Sequence, residues 1–307
     1  MDTIIRTDKL TRHYGPVKAA TDISIEVKKG EIYGFLGLNG AGKTTVIRML
    51  LGMIRPTSGT SYLFGRKVTS NGGDLWNRVG YMVEIPYAYP DLTVRENLDI
   101  LRRLRYLPSR DHVDRIIDQL QLGEYVNRKA RQLSLGNAQR LGLAKALIHK
   151  PELLILDEPA NSLDPAGIFE IRKLLTRLAH DEGVTIFISS HILGEIAKFA
   201  TRIGIIHEGL MLQELDTETL EKLCLKRLTL DCANRDAAAK LLNERGFKLS
   251  VSGSGIFEIF DDRAVDHPEE IASMLVHAGN PPRLLKVEEE DLETYFLKTV
   301  GRIGGQS

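Results

Sequence analysis

The eight residues from Gly37 to Thr44, GLNGAGKT, restrict the possible folds more than any other stretch of the chain. They satisfy the spacing G-x-x-x-x-G-K-[ST] and stand between an apolar run, EIYGFL, and a helical pattern, TVIRMLLGMI. Gly37, Gly40 and Gly42 free the backbone to turn successive N–H groups inward around an anion, and the following helix adds the partial positive charge of its N-terminus. Strand, glycine-rich turn and helix in that order are the context in which this spacing marks a phosphate loop rather than an ordinary turn. Lys43 then supplies a point charge for β- and γ-phosphates, and the Thr44 hydroxyl can ligate Mg²⁺. Leu38, Asn39, Ala41 and Thr45 complete the nucleotide-binding stretch.

The same alternation recurs further on. ELLILDE precedes IFEIRKLLTRLAHDEG, VTIFISS precedes ILGEIAKFA, and RIGIIHEG follows. Repeated strand and helix predict an α/β fold, a P-loop core whose mostly parallel sheet is covered on both faces. From about residue 86 to 150 the pattern becomes wholly helical, entered through Thr93 and Glu96 at the spacing of a capping box, so a helical subdomain is expected within the core. After about residue 217 the order becomes β-α-β-β-α-β, the split βαβ pattern of a small ferredoxin-like α+β domain. The expected division is 1–217 and 218–307, with EEEDLETYFLKTV as a terminal amphipathic helix and GRIGGQS as a tail.

Composition narrows the partners. Lys and Arg number 41 against 41 Asp and Glu, so no global field draws nucleic acid to the molecule, and no nucleic-acid partner is expected. The 2 cysteines, Cys224 and Cys232, lack metal-ligand neighbours, which suits a reduced cytosolic chain. The first residues carry charge where a signal peptide would be apolar, and no window approaches the roughly 18 apolar residues of a membrane span. Any membrane role is therefore expected to come through a partner.

Further chemistry-bearing residues lie downstream. In LLILDEPANSLDP an apolar strand delivers Asp157 and Glu158 to the sheet edge where a phosphate loop would sit, with Asp157 as metal holder and Glu158 as general base toward the attacking water. His191 follows VTIFISS and could reach a γ-phosphate from that edge, although a histidine there also suits a cap or a surface position. Tyr14, ahead of the first β pattern, could stack on adenine or simply precede a Gly-Pro turn. In LSLGNAQR, Ser134 reads as a helix cap and Gly136 as a turn glycine.

Taken in order, Tyr14, the phosphate loop 37–44, GYMVEIP, LSLGNAQR, ILDEP, NSLDP and SSH resemble the ATP-binding cassette family of transporter ATPases over the first 215 residues or so. That resemblance implies a second role for Ser134 and Gly136, which would bind the γ-phosphate of ATP held by an opposite subunit, with Asp164 crossing the same interface. Glu84 stands where the family usually has a glutamine that ligates Mg²⁺ and relays to the membrane subunit. Leu38, Leu135, Asn137 and Ser162 also depart from the commonest pattern. SLG signatures and a glutamate in the Glu84 loop are usual in the antibiotic-export branch, such as bacitracin-type exporter ATPases, which this chain resembles.

The resemblance implies ATP and Mg²⁺ as cofactors, Lys43, Glu158 and His191 as catalytic residues, and Thr44, Asp157 and Glu84 as metal ligands. It implies a separately encoded membrane permease, a second nucleotide-binding subunit as homodimer partner, and a place on the cytoplasmic face of the membrane. The loop Pro86, Tyr87, Tyr89, Pro90, beside Arg102, Arg103 and Arg105, is the expected dock, although the arginines taken alone read better as simply solvated. Two other classes remain open: a soluble cassette ATPase not coupled to transport, and an ATP-binding regulatory or immunity module.

Overall fold

The computed structural model describes residues 2–69, 72–84, 87–161, 163–216, 219, 226–252 and 255–289. The chain splits into two compact units, Met1–Thr217 and Glu218–Ser307. The first contains β1 (Thr3–Tyr14), β2 (Val17–Ile23), β3 (Glu26–Lys28), β4 (Ile32–Leu36), α1 (Lys43–Leu50), β5 (Ser58–Leu63), β6 (Arg66–Lys67) and β7 (Val79–Met82). It continues with α2 (Val94–Leu104), α3 (Asp111–Gln119), α4 (Leu135–Leu147), β8 (Leu153–Asp157), α5 (Pro165–His180), β9 (Thr185–Ser190), α6 (Leu193–Ala197), β10 (Arg202–His207) and β11 (Leu210–Asp216).

Six strands form the main sheet in the order β11-β10-β4-β9-β8-β7, parallel except for the edge strand β11. All residues of β4, β8 and β9 are buried, which explains why these strands read as unbroken apolar runs rather than alternating ones. Phe187 fills the middle of the sheet, its ring 5.5 Å from that of Tyr33 and 5.4 Å from that of Phe35. A second, antiparallel sheet joins β2, β1, β5 and β6, with β3 also paired to β1. Charged residues interrupt the buried positions of its central strand β1, as in TIIRTDKL, and the expected β-α rhythm does not include this sheet. Tyr14 consequently ends the first strand instead of preceding it.

Between residues 87 and 150 the described elements are helical. Thr93 caps α2 in a capping box with Glu96, and Ser134 caps α4 by accepting from the Asn137 N–H. Asp164 caps α5, which starts at Pro165 at the head of its pattern, where a missing N–H costs nothing. The pattern ILGEIAKFA yields only the five-residue α6.

The second unit contains β12 (Lys226–Cys232), α7 (Arg235–Glu244), β13 (Leu249–Val251), β14 (Phe257–Ile259), α8 (Asp262–Asp266), α9 (Pro268–His277) and β15 (Pro282–Glu289). Its sheet runs β13-β14-β12-β15, antiparallel throughout, the ferredoxin-like arrangement that the sequence order predicts. Leu228, Leu230 and Cys232 on one face of β12 pack with Ala238 and Leu242 of α7 and Ile271 and Leu275 of α9. Cys224 and the expected terminal helix beyond residue 289 lie outside the described residues.

One histidine ties the end of α4 to the sheet. The His149 ring makes a 3.1 Å hydrogen bond to the Val79 carbonyl through Nε2, while its buried Nδ1 has no partner. Burial, reinforced by the nearby Arg105 charge and opposed by the Val79 bond, pushes its pKa from 6.5 down to about 4. The neutral ring is therefore favoured by folding, so this contribution is complete above pH 6.5 and is lost as the pH falls toward 4. Between pH 7 and pH 5 the loss is about 2 kcal/mol. Denaturant unfolding at the two pH values should show that much acid destabilisation in the wild type beyond any shown by His149→Gln.

Candidate active site

Parallel register gathers the chemistry at one edge. Leu36 at the end of β4 pairs with Ser190, and Ser189 pairs with Asp157, so the segments leaving β4, β9 and β8 emerge side by side. These segments are the glycine loop, the His191 turn and the Glu158 turn. Ligand sites in open α/β sheets form at such carboxyl ends.

The glycine loop is kept open by exclusions. A Cβ at Gly37 would lie 2.4 Å from the Ile206 carbonyl oxygen, and one at Gly42, where φ is +107°, would lie 2.1 Å from that of Ala19. Gly40 has open space around it but a φ of +82°, which disfavours any side chain. Leu38, Asn39 and Gly40 are exposed at the tip, Ala41 is buried, and Thr44 and Thr45 are half-buried on α1. Gly42 caps α1, whose first turn holds no acidic residue of its own, so the helix adds its N-terminal positive potential to the loop.

Lys43 is 6 % exposed and curls back over the loop. Its Nζ donates to the carbonyls of Gly37 at 2.7 Å and Leu38 at 3.1 Å. It also lies 3.1 Å from Glu158 Oε1. That oxygen is buried and has no hydrogen-bond partner, so it meets the ammonium as a charge without bond alignment. Glu158 Oε2 accepts from the His191 ring at 2.8 Å and from the His191 backbone N–H at 3.3 Å. Since a carboxylate only accepts, Nδ1 carries the ring proton. Glu158 itself sits at φ +51°, a left-handed conformation that costs a non-glycine residue energy and is found at functional turns.

Asp157, 2 % exposed, accepts from Thr44 Oγ1 at 2.8 Å and from Ser189 Oγ at 2.6 Å. Ser189 also accepts from the Glu158 N–H at 3.1 Å, so one hydroxyl joins the Asp157 carboxylate to the backbone of the Glu158 turn. Nothing local in the sequence singles out Ser189, whose role depends on strand register. Gln139, inside LSLGNAQR, is 4 % exposed and donates through Nε2 to the carbonyls of Pro159 at 3.0 Å and Glu158 at 3.3 Å, a contact that its place in the motif does not reveal.

The structure thus brings together Lys43, Thr44, Asp157, Glu158 and His191. Tyr14 presents a half-exposed ring with the Arg12 guanidinium 4.5 Å over one face. Ser134 and Asp164 are exposed and act within the chain as helix caps. Gly136 packs against Leu163, whose Cδ2 would lie 3.2 Å from an added Cβ. Glu84 is not brought to the two carboxylates. It sits at φ +58°, 57 % exposed, in an ion pair of 2.5 Å with Arg48 of α1. Among the described residues no three His, Cys, Asp or Glu side chains cluster as a metal site by themselves.

Tyr87 and Tyr89 are exposed and meet edge to face, their ring centroids 5.9 Å apart. Pro86 lies outside the described residues. The neighbouring arginines are engaged within the chain: Arg102 with Asp99 and the Leu107 carbonyl, the exposed Arg103 with Asp99, and Arg105 with the Trp76 carbonyl. They do not form a free basic face.

Comparison with known proteins agrees with the geometry. Residues 20–161 match the ABC transporter family profile. The chain is 41 % identical over 304 residues to the bacitracin transport ATP-binding protein BcrA of Bacillus licheniformis, covering 98 % of each chain. It is 36 % identical over 223 residues to the lantibiotic transport ATP-binding protein SrtF of Streptococcus pyogenes, covering 72 % of this chain and 95 % of that one. Among solved structures, dimeric MJ0796, a bacterial ABC transporter cassette, superposes with a TM-score of 0.64 at 25 % identity, over 70 % of this chain and 99 % of the other. By its phosphate loop, its paired carboxylates and its likeness to BcrA along nearly its whole length, this chain belongs to the ABC transporter family as one of its ATP-hydrolysing, ATP-binding proteins.

Proposed function

We propose that the chain hydrolyses ATP to power a separately encoded membrane permease that exports a peptide antibiotic. The observation that carries the reading is the convergence of Lys43, Thr44, Asp157, Glu158 and His191 at one sheet edge, in a chain similar along almost its whole length to a bacitracin transport protein. Among the described residues no helix is long and apolar enough to cross a membrane, which fits a subunit that reaches the bilayer through a partner. The exposed Tyr87 and Tyr89 are the proposed dock for that permease, since aromatic residues with a polar edge suit such interfaces.

The residues fit a magnesium nucleotide. Gly37 and Gly42 leave a cradle that a Cβ would fill, Lys43 is a buried cation, and the Thr44 hydroxyl lies on the Asp157 carboxylate. Thr44 and Asp157 would hold Mg²⁺, whose charge would offset that of the β- and γ-phosphate oxygens. Glu84, engaged by Arg48, is proposed to act from the second rank, linking α1 to the loop before Tyr87.

On binding, the γ-phosphate competes for Lys43 with two neutral carbonyls and one carboxylate, and its greater charge turns the ammonium toward it. Glu158 is then released from Lys43 but still held at Oε2 by His191. Its free oxygen accepts a proton from a water that attacks the γ-phosphorus, and the bond from that phosphorus to the bridging oxygen breaks, leaving ADP and phosphate. Ser134 and Gly136, at the exposed start of α4, are proposed to complete the site of a second copy, with Asp164 beside them. Tyr14 stacks the adenine on the ring face that Arg12 leaves free.

Two measurements test this reading. Glu158→Gln removes both the proton acceptor and the counter-charge of Lys43, so phosphate release should fall at least about 100-fold while calorimetric affinity for Mg-ATP rises about threefold or more. A weaker affinity would contradict the ion-pair exchange. The solution mass of the same variant should double with Mg-ATP and return to that of a monomer in EDTA. A monomer with ATP bound would exclude a site completed by a second copy.

A further inference from the structure

Gln139 joins two parts of the site that the nucleotide itself does not join. It lies five residues after Ser134 on α4 and is buried, and its amide nitrogen donates to two consecutive carbonyls, those of Glu158 and Pro159. Carbonyl oxygens only accept, so the orientation of the amide is fixed by its partners. The Glu158 turn needs such support. Glu158 has a left-handed backbone, which is costly for a side chain of its size, and the proline after it contributes no N–H.

On its amino side the turn is held by β9, because the Glu158 N–H reaches the Ser189 carbonyl at 3.2 Å and the Ser189 hydroxyl at 3.1 Å. On its carboxyl side it is held by α4 through Gln139, with a turn bond from the Asn161 N–H at 3.1 Å as the other contact to the Glu158 carbonyl. The same helix also touches the far end of the segment, where Gly136 leaves room for Leu163 just before Asp164. One helix therefore meets Glu158 and Pro159 at one end and Leu163 at the other, and carries the exposed Ser134 at its tip.

From this geometry we infer that Gln139 is a positioning residue for Glu158, and that through it the helix offering Ser134 to one nucleotide sets the aim of the carboxylate serving the other. The inference rests on the reading of Glu158 as general base and of α4 as half of a shared site. It adds a link within one chain, so that seating of α4 against the opposite phosphate is felt at the chain's own Glu158. Replacing the amide should leave ATP binding intact and misdirect the carboxylate.

The test compares Gln139→Ala and Gln139→Glu with the wild-type full-length chain, following phosphate release against ATP concentration and pH. Gln139→Ala should lower kcat about tenfold or more while KM stays within about twofold, the signature of an interaction used at the transition state. In Gln139→Glu an ionised carboxylate faces two carbonyl oxygens and repels them, whereas the protonated acid has one O–H to donate. The ratio of Gln139→Glu to wild-type kcat should therefore rise as the pH is lowered, a comparison that holds even if the alanine variant folds poorly. In the Glu158→Gln background, Gln139→Ala should lower the residual rate no further and should leave the Mg-ATP-dependent mass change in place.

A flat ratio across pH would overturn the inference, as would a Gln139→Ala whose defect lay in KM alone, or one whose loss simply added to that of Glu158→Gln. Wild-type chain that hydrolysed no ATP would overturn the reading beneath it as well, so the two failures are told apart by the wild-type control.

Discussion

The site depends on the parallel pairing of β4, β9 and β8. Three fully buried strands running in one direction in fixed register bring three turns to one edge, and a shift of a single residue would carry Asp157 away from Thr44 and Ser189. Phe187, wedged between Tyr33 and Phe35 in the middle of that sheet, holds the register from within. The charges at the edge are therefore placed by apolar packing some distance beneath them. This explains how a buried ammonium and two nearly buried carboxylates are tolerated together: each is met by a partner that the sheet delivers, Lys43 by Glu158 and Asp157 by two hydroxyls.

Much of this was legible in the residues. GLNGAGKT between an apolar run and a helical pattern located the phosphate loop, because chain entry, turn and exit are all encoded within about twenty consecutive residues. The β-α-β-β-α-β order likewise located the second unit, whose sheet has the predicted connectivity. What escaped was long-range. Ser189 and Gln139 are ordinary polar residues until register and helix packing set them against Asp157, Glu158 and Pro159. The antiparallel sheet escaped because Arg6, Asp8 and Lys9 interrupt its strands with charge. Its pairing partners lie as far apart as Ile5 and Leu63, beyond the reach of any local pattern.

Glu84 and the arginines near Tyr106 illustrate a different limit. Charge type and motif position set Glu84 among the carboxylates expected to bind metal, yet a cation in the last turn of α1, Arg48, takes it instead. Arg102, Arg103 and Arg105 crowd four positions and offer either a basic face or a solvated one, and the structure instead sets Asp99 and two backbone carbonyls against them. A linear charge count contains no statement about where long side chains fold back, and arginine has the reach and the five donors to satisfy partners well beyond its own turn.

The phosphate loop has a consequence for how such a protein can vary. Gly37 and Gly42 admit no side chain for want of room, and Gly40 for the handedness of its backbone. The cradle is therefore built of main-chain atoms, and a main-chain grip is insensitive to most substitutions around it. Adjustment of pace, and of what the hydrolysis is made to drive, falls to the few side chains that lean on the loop from other strands. The molecule thus separates a part that cannot be retuned from a ring of residues that can, and differences in behaviour between chains of this kind are to be sought in that ring.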